Sequence, residues 1–187
     1  MLTNEACYTG LVAEERVATF AGGCFWCLQP AFDARAGVVS TQVGYCGGSV
    51  PHPSYEQVCS GGTGHLEAIE VRYDPGLVSY EALLDVFWRQ IDPTQDDGQF
   101  ADRGSQYRTA VFYHDEAQRR AAEASRQALG ASGRFERPIA TAILPAAAFY
   151  PAEEHHQKYY RKRSAGYKAY RAGSGRQAFI ERAWPER

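Results

Sequence analysis

The sequence predicts an α+β fold, a two-layer sandwich in which one sheet packs against helices. Three observations carry this reading. Short alternating runs and 3.6-residue stripes are interspersed along the chain, not segregated into blocks. There is no internal repeat and no low-complexity linker. The 187 residues, 44% of them hydrophobic, suffice for one substantial core. The expected organisation is a single domain, residues 1–187, with its core at about 17–160 and a coil-rich tail at about 161–187.

The elements follow in chain order. Val17–Ala21 reads as a strand entering Gly22-Gly23. Phe25 to about Ala36 reads as a helix stopped by Gly37. Pro30 interrupts it, because it has no N–H to bond the Trp26 carbonyl; either the first turn is distorted or the regular helix starts near Pro30. Val39, Thr41, Val43 and Tyr45 share one face of a strand, and Cys46 to Gly64 is a long Gly/Pro/Ser-rich loop of the kind that tends to carry function. Glu67–Tyr73 alternates again and ends at the turn Asp74-Pro75-Gly76. Ser79 caps a helix whose stripe is Tyr80, Leu83, Leu84, Phe87, Trp88 and Ile91. Asp92 to Gln106 is a second polar loop, Thr109–Tyr113 a strand, and Ala117, Ala121, Ala124 and Ala128 a narrow helical stripe. Ile139–Leu144 reads as a strand and Glu153–Arg163 as a short helix. The glycine-bearing end has no clear period and is expected to be coil with a terminal helix.

Composition narrows the function. A formal net charge of −2 gives no electrostatic case for nucleic acid or an anionic membrane. No apolar run reaches membrane-spanning length, and Met1–Gly10 has neither the basic start nor the apolar stretch of a secretory leader. The expected compartment is the cytoplasm, where thiols are held reduced. There, five cysteines point to catalysis, redox sensing or metal more than to structural bridges.

The most informative segment is Gly22-Gly23-Cys24-Phe25-Trp26-Cys27. The glycines permit a sharp turn and close approach. A helix start after them favours a thiolate on Cys24, the reactive form of cysteine. Phe25 and Trp26 beside that sulfur suggest a pocket for a small apolar group. A zinc site built on Cys24 and Cys27 would need two more ligands from Cys46, Cys59 or His65, and there is no second C-x-x-C. Glu67 is the second informative residue. It lies on the strand face that carries Ile69, Val71 and Tyr73, so its carboxyl is the polar end of an apolar face. Burial there raises its pKa and makes it a proton donor. Tyr55 and Cys59 precede it in one loop; Asp102, Gly104, Gln106 and Tyr107 lie in the other. The phenols either bond a substrate oxygen or pack. Glu153-Glu154-His155-His156-Gln157 is not a metal motif and reads as a solvated helix face.

At these residues the chain closely resembles the A-type peptide methionine sulfoxide reductases, which reduce the S-epimer of methionine sulfoxide. The matching segments include Gly23-Cys24-Phe25-Trp26, Val43-Gly44-Tyr45, Pro53 to Gly61, Thr63-Gly64-His65-Leu66-Glu67, Asp92-Pro93-Thr94, Gly104 to Arg108, and Phe149 to Tyr159. The resemblance implies a ferredoxin-like two-layer sandwich, a mixed β-sheet with helices on one side and long coil segments, and no cofactor or metal. It implies that Cys24 attacks the sulfoxide sulfur and that Phe25 and Trp26 hold the S-methyl group. Glu67 then protonates the oxygen, Tyr55 and Tyr107 bond it, and Asp102 joins the polar network. The sulfenic acid left on Cys24 is converted to a disulfide by a resolving cysteine and recycled by thioredoxin. Substrates are methionine sulfoxide in proteins or free. Neither nucleic acid nor membrane is a partner, and the expected state is a monomer.

The recycling half departs from the family pattern. Many members carry a resolving cysteine in the Gly-rich tail; here Lys168 stands in that place, and no cysteine follows Cys59. The candidates, in order, are Cys27, Cys46 and Cys7. Cys27 leads because two intervening residues at a helix start allow a disulfide. A one-cysteine enzyme recycled by direct thiol attack on the sulfenic acid is the fallback. A general thiol–disulfide oxidoreductase using Cys24 and Cys27 is the competing activity.

Overall fold

The structure is a computed structural model and describes residues 14–185. Cys7 lies outside the described residues.

Its frame is a six-stranded sheet. The strands are β1 (Arg16–Gly22), β2 (Val38–Cys46), β3 (Leu66–Tyr73), β6 (Thr109–Tyr113), β7 (Ala142–Pro145) and β8 (Phe149–Pro151), in the order β7-β6-β1-β3-β2-β8. All neighbours are antiparallel except β6 and β7, so the sheet is mixed. With α1 (Phe25–Asp33) and α3 (Tyr80–Trp88), the inner strands follow a β-α-β-β-α-β path. They lie in the order β6-β1-β3-β2, which is the ferredoxin-like arrangement. A separate two-stranded hairpin, β4 (Gly98–Gln99) with β5 (Asp102–Arg103), sits in the second polar loop. The α+β class, the mixed sheet and the helical layer agree with the sequence.

The main core lies between the sheet and the helices, and Phe20 is at its centre. Its ring stacks on Phe32 at 5.2 Å and on Phe87 at 5.1 Å. Leu83, Leu84, Val43, Ile69, Val71 and Val111 complete this layer, all fully buried. Removing each such side chain from water contributes roughly 1.5–3 kcal/mol. The opposite face carries smaller residues, Ala21, Ala68 and Ala110 among them. The end of β1 pairs at Ala21 with Ala68 and at Gly22 with Thr109, and Tyr45 pairs with Glu67. One end of the sheet therefore gathers the exit of β1, the start of β3 and the start of β6. The site is built there.

Several elements differ from the sequence expectation. Helix α1 begins at Phe25, carries Pro30 inside, and ends at Asp33. Val39 is 54% exposed because a bulge between Val38 and Ser40 removes it from the alternation. The first long loop contains α2 (Tyr55–Cys59), opened by a capping box in which Ser54 and Gln57 bond each other's backbone. That signal stood in the sequence as Ser54-x-x-Gln57. In α4 (Glu116–Ala131) the buried positions are Gln118, Ala122 and Leu129 rather than the alanine stripe. Alanine buries too little area to set the face, and Leu129 decides it.

The expected helix at Glu153–Arg163 shortens to α5 (Tyr159–Lys162). The tail, expected as coil with a terminal helix, forms that helix as α7 (Arg176–Ala183) and a further one, α6 (Ser164–Gly173), joined at Gly175 with φ +84°. It is anchored by Tyr167 and Arg176, both buried. The glycines lower its intrinsic helicity, and these tertiary contacts supply the rest. Among the described residues no helix is long and apolar enough to cross a membrane.

Candidate active site

The site begins where β1 gives way to α1. Gly23 has φ +74°, and a Cβ there would lie 2.5 Å from the Gln99 Cβ, so glycine is required on both counts. Cys24 is the next residue and the N-cap of α1; its carbonyl accepts from the Cys27 N–H at 3.0 Å. Its thiol is 6% exposed and opens into a cavity of about 180 Å3. Phe25, Trp26, Tyr55, Glu67, Asp102, Tyr107 and Tyr170 form the rest of the wall. Residues from α1, α2, β3, the β4–β5 hairpin, the turn before β6 and α6 thus meet in a space suited to the end of one side chain.

Glu67 lies on the apolar face of β3, with Ile69, Val71 and Tyr73 in the core below it, and is 2% exposed. Its Oε2 accepts the Phe25 N–H at 3.1 Å, which ties the acid to the first turn of the nucleophile's helix. Burial is the main reason its carboxyl is pushed up to about 8; Asp102 and Cys27 add to the shift, while the Phe25 N–H and Arg176 oppose it. At neutral pH the carboxyl holds its proton.

The two thiols are free and hydrogen-bonded to each other. Burial pushes Cys24 well above the ordinary thiol value, and its bond to Cys27 and the nearby Glu67 add to this. Cys27 moves the other way, down to about 7. The Cys24 hydrogen bond is the chief cause; burial opposes it, and Arg176 and Arg171 support it. The sequence expectation of a lowered pKa at Cys24 is therefore corrected. The helix start is present, but the sulfur is too buried for that to prevail, and the pair's negative charge rests on Cys27.

The aromatic wall is braced from behind. Trp26 stacks on Tyr159 with centroids 4.0 Å apart and planes 12° apart. His156, 3% exposed, lies against Tyr55 at 4.5 Å and Phe25 at 5.4 Å, and burial holds it neutral. Glu153 accepts from the Tyr55 N–H and the Tyr45 hydroxyl, each at 2.9 Å. The segment read as a solvated helix face is instead the support of the cage. The rings that cover His156 come from α1 and α2, so its own sequence neighbourhood gave no sign of them. Cys59 lies beside the phenols of Tyr55 and Tyr107 and, after burial, helps push both up.

Tyr170 was not expected. From α6 its phenol donates to Asp102 Oδ2 and also bonds the Cys24 thiol. Cys46, the second resolving candidate, is on the other face of β2 from Tyr45. It packs with Ala21, Leu66 and Phe112 across the sheet from the pocket, and its thiol faces the Ala147 carbonyl at 3.8 Å. Among the described residues no three of His, Cys, Asp or Glu converge to hold a metal ion.

Residues 16–187 match the family model for peptide methionine sulfoxide reductase. The chain belongs to this family. A peptide methionine sulfoxide reductase MsrA of Bacillus licheniformis is 53% identical over 174 residues, covering 92% of this chain and 96% of the relative. Among solved structures, reduced Mxr1 from Saccharomyces cerevisiae is similar at a TM-score of 0.76 and 33% identity, covering 82% of this chain and 88% of that one. Mxr1 in complex with Trx2 is similar at 0.56 and 25%, covering 79% and 86%. The pocket of this reductase gathers a buried thiol, a carboxyl that burial keeps protonated and an aromatic wall around one small cavity.

Proposed function

We propose that this reductase converts methionine (S)-S-oxide, in proteins and free, to methionine through a sulfenic acid on Cys24 and a Cys24–Cys27 disulfide. The observation that carries the proposal is the protonated Glu67 carboxyl facing the same 180 Å3 cavity as the Cys24 sulfur.

The sulfoxide oxygen is a poor leaving group until it gains a proton. Cys24 attacks the sulfoxide sulfur and its proton passes to Cys27, already its hydrogen-bond partner. Glu67 delivers a proton to the oxygen as negative charge develops on it. The phenols of Tyr55 and Tyr107 hydrogen-bond that oxygen and stabilise the charge. Phe25 and Trp26 enclose the methyl group. With oxygen, methyl and attacking sulfur in three fixed directions, only one epimer fits. Oxygen passes to Cys24, the sulfoxide S–O bond breaks, and methionine leaves; Cys24 is oxidised by two electrons as the substrate is reduced.

Cys27 is one helical turn away and resolves the sulfenic acid. A thioredoxin-type dithiol then reduces the disulfide by exchange, a reading supported by the structural likeness to Mxr1 in complex with Trx2. Dependence on such a reductant fits work in the cytoplasm.

The test is single turnover of separate S and R epimers of a methionine sulfoxide peptide by the reduced protein without external reductant. Methionine from the S epimer alone, abolished in Cys24→Ser, is expected. Equal yield from both epimers, or none from either, rejects the assignment.

A further inference from the structure

Arg176 is fully buried, an unusual place for a guanidinium. Its Nη1 donates to the Gln90 carbonyl at 2.5 Å and its Nη2 to the Gly22 carbonyl at 3.1 Å. The guanidinium lies 4.7 Å over the Phe100 ring, and its Nε has no partner. Among the described residues no carboxylate forms an ion pair with it. A buried cation with only neutral acceptors is costly, and the cost falls if an anion forms nearby. Gly22 is two residues before Cys24, and a Cβ on Gly23 would lie 3.0 Å from Arg176 Nη2, so the guanidinium lies against the turn that carries the thiol pair. From α6, Arg171 Nη1 donates to the Cys27 carbonyl at 3.3 Å, bringing a second cation to the same turn.

We infer that Arg176 is a positioning residue whose guanidinium is the counter-ion of the Cys27 thiolate that closes the disulfide. This rests on Cys27 being the resolving cysteine. The groups acting on Cys27 support it. From α7 and α6 come Arg176 and Arg171, both favouring the thiolate, and from β5 comes Asp102, opposing it. Cys24 shares its hydrogen bond, and Glu67, Tyr167 and Tyr170 complete the surroundings. In the closing step the Cys27 lone pair forms the S–S bond to Cys24. Cys27 gives up the proton it took from Cys24 to the Glu67 carboxylate left by the first step, the Cys24 S–O bond breaks, and the leaving oxygen takes that proton to become water. The thiolate of Cys27 is the effective nucleophile, so the cation sets how much of the protein is ready to close at neutral pH.

The experiment follows two quantities. The first is the rate of disulfide closure against pH after one turnover on the S epimer, read by mass separately from methionine release. The second is the Cys27 thiolate absorbance against pH in the Cys24→Ser protein. Wild-type closure is expected to rise with pH as the Cys27 thiolate forms. Arg176→Met should move the midpoint of that rise up by about one unit or more and slow closure about tenfold at neutral pH, with Arg176→Lys restoring most of it. An unmoved midpoint in a folded Arg176→Met protein overturns the inference. If that variant does not fold, Arg176→Gln decides: a Cys27 midpoint in the Cys24→Ser protein that does not move when Arg176→Gln is added overturns it equally. Absence of any Cys24–Cys27 disulfide in wild type rejects Cys27 as the resolving residue, whereas a normal disulfide with an Arg-independent midpoint rejects only the role of Arg176.

Discussion

The Phe25 N–H donates to Glu67 Oε2 at 3.1 Å, so the first turn of α1 and the start of β3 are joined at the reacting centre. One hydrogen bond fixes the acid relative to the adjacent Cys24 sulfur. Because the N–H favours the carboxylate, it also moderates the rise in pKa caused by burial.

The pH dependence of the first step follows from two groups. The thiol pair must lose a proton, which happens as pH rises through about 7. Glu67 must keep its proton, which it does only below about 8. The single-turnover rate should therefore rise through the first value and fall through the second. Glu67→Gln keeps the shape of the side chain but has no acid proton. It should lose about 10²–10⁴ in rate, together with the alkaline limb. A pH–rate series on both proteins checks this.

Tyr170→Phe removes the donor to Asp102 and the phenol bonded to Cys24. The uncompensated polar group costs about 1–3 kcal/mol. If half of that appears in the barrier, kcat/KM falls about two- to tenfold. Steady-state kinetics, with circular dichroism to confirm the fold, measure it.

Tyr159→Ala removes the ring stacked on Trp26 at 4.0 Å without touching the pocket. The pair is worth about 0.5–1.5 kcal/mol, so KM for a peptide substrate should rise about three- to tenfold while kcat changes little.

Gly23→Ala places a Cβ 2.5 Å from Gln99 and puts alanine at φ +74°. The left-handed conformation alone costs about 1–2 kcal/mol, and relief of the clash moves the turn that carries Cys24. Urea unfolding should show at least that loss, and turnover should fall with it.

The sequence carried the chemistry of the pocket further than its frame. Strand alternation alone put Glu67 with Ile69, Val71 and Tyr73, and all four are buried on one face. The stripe from Tyr80 to Ile91 was equally legible, because large apolar residues leave little choice of face. The capping box at Ser54 and Gln57 was legible but sat within a Gly- and Pro-rich stretch that suggested only loop. The contributions of α6 and α7 were not legible. Tyr170 and Arg176 act across more than 65 residues of chain, on Asp102 and Gly22, and no local period marks such contacts. The same holds for His156, buried by rings from α1 and α2. The ordering of resolving candidates came from spacing alone. The register of β2 adds that Cys46 faces away from the pocket, because adjacent strand residues point to opposite sides.

On the proposed route oxygen leaves the substrate onto Cys24, and the oxidation is then stored between Cys24 and Cys27. That route is tested most directly by peptide mapping of wild type, Cys27→Ser and Cys46→Ser after one turnover on the S epimer. Wild type and Cys46→Ser are expected to hold a Cys24–Cys27 disulfide, and Cys27→Ser is not. In Cys27→Ser the expected result is one methionine released per protein and a sulfenic acid trapped on Cys24. A disulfide that survives Cys27→Ser and joins Cys24 to another cysteine would contradict that route.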